Sequence, residues 1–102
     1  MLLMTRAEEI VLLAVMKLND HGYGVTIREQ VHEDIGRYWA FGVIYKTLKK
    51  MVFKGYVEKT AGNPLEERGG RSRYYYRLTD KGREALAQIL QVHNALWQGI
   101  RI

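Results

Sequence analysis

Apolar residues recur along this chain in blocks whose periodicity predicts four helices and two short strands. The first block follows Thr5, where Thr5 and Glu8 have the spacing of a capping box. Every position from Ile10 to Met16 is then apolar. A helix with one buried face alternates with polar residues, so this run asks for cover on more than one side. That makes Ile10, Val11 and Ala14 candidates for contact with a second chain. Asn19-Asp20-His21-Gly22 stops the helix. A second helix is predicted over Gly24 to Ile35, with Ile27, Val31 and Ile35 on one stripe and Gly36 as its C-terminal stop. A third spans Phe41 to Lys54, with Ile44, Leu48, Met51 and Val52 inward and Lys46, Thr47, Lys49, Lys50 and Phe53 outside or at the boundary. Gly55 ends it.

Tyr56 to Thr60 and Arg73 to Leu78 read as strands rich in aromatic and β-branched residues. Ala61 to Ser72 reads as a long hairpin loop, since Gly, Asn and Pro punctuate it. Thr79 caps a last helix, in which Leu86, Ile89, Leu90, His93, Leu96, Trp97 and Ile100 recur at heptad-like intervals. This stripe is a helix–helix seam and a second reason to expect a homodimer.

The resulting fold class is mainly α (α+β), in the order α-α-α-β-β-α, which is that of a winged helix-turn-helix. Residues 1–78 would form the winged helix and 79–102 a C-terminal dimerisation helix, as one continuous unit. In this arrangement the third helix enters the major groove and the hairpin touches the neighbouring backbone.

Charge sharpens the picture. The 102 residues carry a formal net charge of +5. Residues 1–36 hold three basic against six acidic residues, a net −3, whereas residues 37–83 hold twelve against four, a net +8. The positive charge therefore falls on the third helix and the hairpin, and the expected partner becomes duplex DNA rather than polyanions in general. Lys46 and Lys50 share one helix face with Thr47 beside them, and Arg68, Arg71 and Arg73 flank Gly69-Gly70 in the loop. Tyr45 can offer its hydroxyl to a phosphate. Tyr74, Tyr75 and Tyr76 could stack on bases, but core and sheet packing is the simpler reading.

Catalysis finds no supporting constellation. The single serine, Ser72, lies in a basic glycine-rich loop with no histidine near it in sequence, and His21, His32 and His93 are too scattered for metal spacing. With no cysteine there is no disulfide framework or thiolate metal site, and no cofactor is expected. No apolar run approaches a membrane span and the amino terminus lacks signal-peptide organisation, so a cytoplasmic location is expected.

Three stretches make the reading specific. Tyr23-Gly24-Val25-Thr26-Ile27 opens the second helix. Gly42-Val43-Ile44-Tyr45-Lys46-Thr47-Leu48-Lys49-Lys50-Met51 leads to Gly55-Tyr56-Val57. Gly69-Gly70-Arg71-Ser72-Arg73-Tyr74-Tyr75-Tyr76-Arg77-Leu78-Thr79 leads to Lys81-Gly82. In order and spacing they resemble the PadR family of bacterial transcriptional regulators, in the short form with one C-terminal helix. The resemblance implies a homodimeric repressor of a nearby gene that binds an operator in double-stranded DNA. It departs at Val52 and Phe53, where the family usually carries charged residues. Resemblance to drug-binding members implies a second reading, in which a small apolar or aromatic effector sits near Trp97 from both subunits and releases DNA. A third reading is a winged helix that binds only protein.

Overall fold

The computed structural model describes residues 4–62 and 73–102. Its first helix, α1 (Arg6–Lys17), begins in the capping box that the sequence predicts. The Glu8 amide donates to the Thr5 hydroxyl at 3.1 Å and the Thr5 amide donates to the Glu8 carboxylate at 2.9 Å. Two of the helix's orphan amides are thereby satisfied.

α1 is the central helix. It packs against α2 (Gly24–Ile35), α3 (Phe41–Phe53), strand β2 (Tyr74–Leu78) and α4 (Asp80–Trp97). Val11, Leu12, Ala14 and Val15 are fully buried among these neighbours. This corrects one sequence expectation. Val11 and Ala14 are covered by their own chain and have no surface left for a partner, whereas Leu86 is buried but for the 8% it presents between α1 and α4. The apolar run needs several-sided cover because four elements of the same fold surround it. Only Ile10, Leu13 and Met16 remain partly exposed.

Ile27 and Val31 of α2 and Ile44, Leu48 and Met51 of α3 complete the core, while Ile35 at the end of the α2 stripe is exposed. Gly36 terminates α2 with φ at 76°, the left-handed position that favours glycine. Strand β1 (Val57–Ala61) pairs antiparallel with β2, from Val57 opposite Leu78 to Ala61 opposite Tyr74. Gly22, just before α2, adds a single bridge to Tyr76, whose amide donates to the Gly22 carbonyl at 2.8 Å.

α4 starts tightly docked. The Thr79 hydroxyl accepts from the Gly82 amide at 3.0 Å and donates to the Gly55 carbonyl at 2.7 Å, and the Lys81 ammonium donates to the Lys54 carbonyl at 2.9 Å. The Lys54 and Gly55 carbonyls that follow α3 thus find donors at the start of α4. Only Gly82, Ala85 and Leu86 of α4 are buried, and the helix then runs on beyond the core.

The buried Glu8 also pairs with the Lys54 ammonium at 3.1 Å, tying α1 to the end of α3. Burial pushes the Glu8 carboxyl up, but hydrogen bonds from Thr5 and Lys54 outweigh it and hold its pKa below the ordinary value. A carboxyl lowered in the folded state adds stability above its unfolded pKa, and that stability is lost as pH falls through the folded value. Glu8→Gln should therefore cost about 1 kcal/mol at neutral pH, a figure discounted because Lys54 is partly exposed. The deficit should vanish on acidification in denaturant titrations run across pH.

Candidate nucleic-acid interface

The core face of α3 fixes what it presents outward. Opposite Ile44, Leu48 and Met51 lie Gly42, Lys46, Lys49 and Phe53, spaced four, three and four residues apart, and all are exposed. Val43 and Lys50 flank this line on one side and Tyr45 on the other. Thr47 does not share it. It is 8% exposed and its hydroxyl donates back to the Val43 carbonyl at 2.8 Å, which corrects its expected place beside the lysines.

Tyr45 is half-exposed and its ring leans over the start of α2. A Cβ at Gly24 would overlap the Tyr45 hydroxyl, so the glycine that opens α2 is what lets the two helices close on each other here. Tyr45, Lys49, Val52, Lys59 and Tyr76 line a cleft of about 370 Å³ between α3 and the hairpin root.

In the hairpin, Tyr76 is buried, and that burial raises its hydroxyl pKa. Tyr75 meets Tyr23 edge to face at 5.9 Å, Tyr74 lies under the Lys59 ammonium at 4.2 Å, and the Arg73 guanidinium sits 4.0 Å from the Tyr23 ring. Tyr75 and Tyr76 are thus engaged in packing, while Tyr74 is half-exposed beneath Lys59. Arg77 pairs with Glu58 across the strands. Arg68 and Arg71 lie outside the described residues.

The connection between α2 and α3 holds a cluster absent from the sequence expectations. Arg28 donates to the Trp39 carbonyl at 2.6 Å, and its guanidinium stands 4.7 Å from the Tyr38 ring and 4.4 Å from the Phe41 ring. Tyr38 stacks on His32 at 3.8 Å and donates to Glu29 at 2.9 Å, a bond that raises the Tyr38 pKa. Together these contacts tie the outer face of α2 to the turn that leads into α3. The available signal is an arginine on the outer face of α2 with Tyr38, Trp39 and Phe41 ten to thirteen residues on.

A second surface lies between α1 and α4. Glu9, Leu13, Met16, Arg83, Leu86, Ala87 and Leu90 line an apolar groove of about 310 Å³. His93, expected as a packed seam residue, is partly buried with its Nε2 3.1 Å from Glu9. Leu90, Leu96, Trp97 and Ile100 are all more than half exposed. The groove lining ends at Leu90, about two helical turns short of Trp97. Among the described residues no group of acidic, histidine or cysteine side chains could hold a metal, and no helix is long and apolar enough to cross a membrane.

The profile of the PadR-like family of transcriptional regulators matches residues 12–88, which includes every element of this interface. The chain belongs to the PadR-like family. As a PadR-like protein it is a DNA-binding transcriptional regulator and not an enzyme.

Solved structures agree with that placement. RosR of H. salinarum, determined in a complex, superposes with a TM-score of 0.72 at 25% identity, covering 95% of this chain and 79% of that one. A PadR family regulator from Clostridium difficile gives 0.64 at 25% identity, covering 89% and 86%. One from Eggerthella lenta gives 0.70 at 22%, covering 88% and 76%, and so shares the fold. No curated protein sequence is significantly similar to the chain. Against the PadR pattern the departure at Val52 and Phe53 resolves into two cases. Val52 is half-buried at the cleft, while Phe53 is 92% exposed.

Proposed function

We propose that this PadR-like chain is a homodimeric repressor that acts in the cytoplasm on a pseudo-palindromic operator. In this reading α3 and the hairpin, with Tyr45, Lys46, Lys50, Arg68, Arg71 and Arg73, face the DNA. The observation that carries it is the uninterrupted positive charge of the α3 surface. Lys46, Lys49 and Lys50 are exposed, and no carboxylate occurs in the sequence between Asp34 and Glu58. A face of this kind attracts phosphates without internal neutralisation. Ala40 caps α3 with no side-chain bond and the first turn holds no acidic residue, so the Phe41 and Gly42 amides, ahead of the Val43 amide that donates to the Ala40 carbonyl, are left for a phosphate oxygen. Two copies related by a twofold axis would place their α3 helices in successive major grooves about 34–36 Å apart.

Lys46→Ala tests this face. Duplex affinity should fall, and the slope of log affinity against log salt should become shallower by about one, as for one lost phosphate contact. Unchanged affinity and slope would remove α3 from the interface. Equal binding to the chain's own upstream DNA and to random duplex would favour the protein-binding alternative.

A second reading adds a small apolar or aromatic effector at the dimer seam. The apolar groove between α1 and α4 favours it. Since the groove stops short of Trp97, a site including Trp97 has to be completed by the second copy. Tryptophan quenching by planar aromatic compounds in the wild type, lost in Trp97→Ala, would support it. Quenching that persists in the variant would place the signal at Trp39.

A further inference from the structure

α3 is unusual in what it lacks. From Phe41 to Phe53 it contains no Arg, Asn, Gln, Asp or Glu. Those residues make the bidentate contacts that distinguish adenine, guanine and cytosine in the major groove. Thr47 is buried with its hydroxyl on the Val43 carbonyl, and the Tyr45 hydroxyl abuts Gly24. The lysines remain as outward polar groups, and lysine contacts phosphate or guanine alone.

The first turn is apolar instead. Val43 is 45% exposed although it sits at the leading end of the most basic helix in the chain. It lies three residues before Lys46 and seven before Lys50, on one ridge with both. A Cβ built at the neighbouring Gly42 meets no atom within 4 Å, so the backbone on this side is bare and open to close approach. Val43 is β-branched and largely confined to one rotamer in a helix, so placing it against a partner costs little entropy. The group in the major groove that rewards such a side chain is the thymine 5-methyl.

We infer that Val43 reads thymine, through contact between its γ-methyl groups and the 5-methyl of a base held in register by Lys46 and Lys50. The inference rests on the DNA-binding reading above and adds to it which chemical feature of the operator is read. Selectivity on this helix then comes from a methyl contact plus lysine, with no amide or carboxylate reader.

Uracil substitution tests it, because uracil is thymine without the methyl group. The operator is first recovered by selecting bound duplexes from a random library with the wild-type protein. Each thymine is then replaced singly by uracil. At one thymine per half-site the wild type should lose about fourfold in affinity, the worth of one buried methyl. Val43→Ala should bind the thymine and uracil duplexes equally, while Val43→Ile should retain the preference. The side chain is half-exposed, so both variants should keep the wild-type circular dichroism. The inference is overturned if no uracil substitution weakens the wild type, or if Val43→Ala keeps the full preference. Failure to enrich any duplex would overturn the DNA-binding reading, and this inference with it.

Discussion

Replacing Gly82 by alanine is expected to lower the melting temperature by on the order of 10–20 °C. The usual sign of a glycine-to-alanine change inside a helix is the reverse, since alanine is favoured there by roughly 1 kcal/mol. Packing decides otherwise here. A Cβ at Gly82 would run into the carbonyl oxygen of Tyr56 and reach Leu78 Cδ1 at 3.0 Å. The Tyr56 carbonyl is backbone and cannot rotate away. It also accepts the Thr79 amide at 3.0 Å, so moving it disturbs the start of α4. The Thr79 and Lys81 bonds to Gly55 and Lys54 resist separation of the two segments. An overpacked site with so little freedom costs about 3 kcal/mol. That exceeds the helix-propensity gain and is a large share of the roughly 5–15 kcal/mol that holds a domain folded. At about 4–8 °C per kcal/mol the shift is easily measured by circular dichroism at fixed protein concentration. Gly42→Ala is the control, because nothing stands within 4 Å of its Cβ and no loss is expected. If Gly82→Ala melts with the wild type, α4 does not dock on Tyr56 as described.

The same close approach shows what was legible in advance. Local rules sufficed for the elements. The Thr5–Glu8 capping box, the 3.6-residue stripe of α2, the Gly36 stop and the Thr79 cap predict boundaries that the structure reproduces within a residue or so. Such signals are written in a few neighbouring residues, so one sequence carries them. What depends on three-dimensional neighbours was not legible. The apolar run Ile10 to Met16 signals multiple-sided cover, yet the pattern cannot say whose surface supplies it. The chain's own α2, α3, α4 and β2 do so for Val11 and Ala14. Thr47 illustrates the same limit at the site. It neighbours Lys46 in sequence but turns 100° away from it and points inward. The Arg28 cluster has no periodic signature at all, since it joins a helix face to an irregular turn. Charge segregation was readable because it depends only on which segment holds the lysines.

Leu90→Glu is expected to separate dimerisation from folding and to abolish tight operator binding. Leu90 is 60% exposed, so the isolated chain loses little by the change, within about 0.5 kcal/mol for a surface position. The variant should keep the wild-type far-ultraviolet spectrum and melt cooperatively. Between two copies the outcome differs. Leu90 closes the apolar groove at its α4 end, beside Leu13 and Met16, and continues into Leu96, Trp97 and Ile100, which are 69%, 54% and 59% exposed. A second copy is the proposed cover for this stripe. A carboxylate buried there would share the groove with Glu9, and the cation that lines it, Arg83, stands about two helical turns back along α4. His93 is already engaged with Glu9, its Nε2 3.1 Å from the carboxylate. Sedimentation equilibrium should show a dimer for the wild type at micromolar concentration and a monomer for the variant. Operator affinity should then fall by about two to four orders of magnitude, because two half-sites are no longer engaged by one tethered pair. Affinity for a single half-site should stay within a few-fold of wild type, since α3 lies on a different surface. A variant that remains dimeric, or a wild type that is monomeric on its operator, would remove α4 from the assembly and leave its apolar face to a different partner.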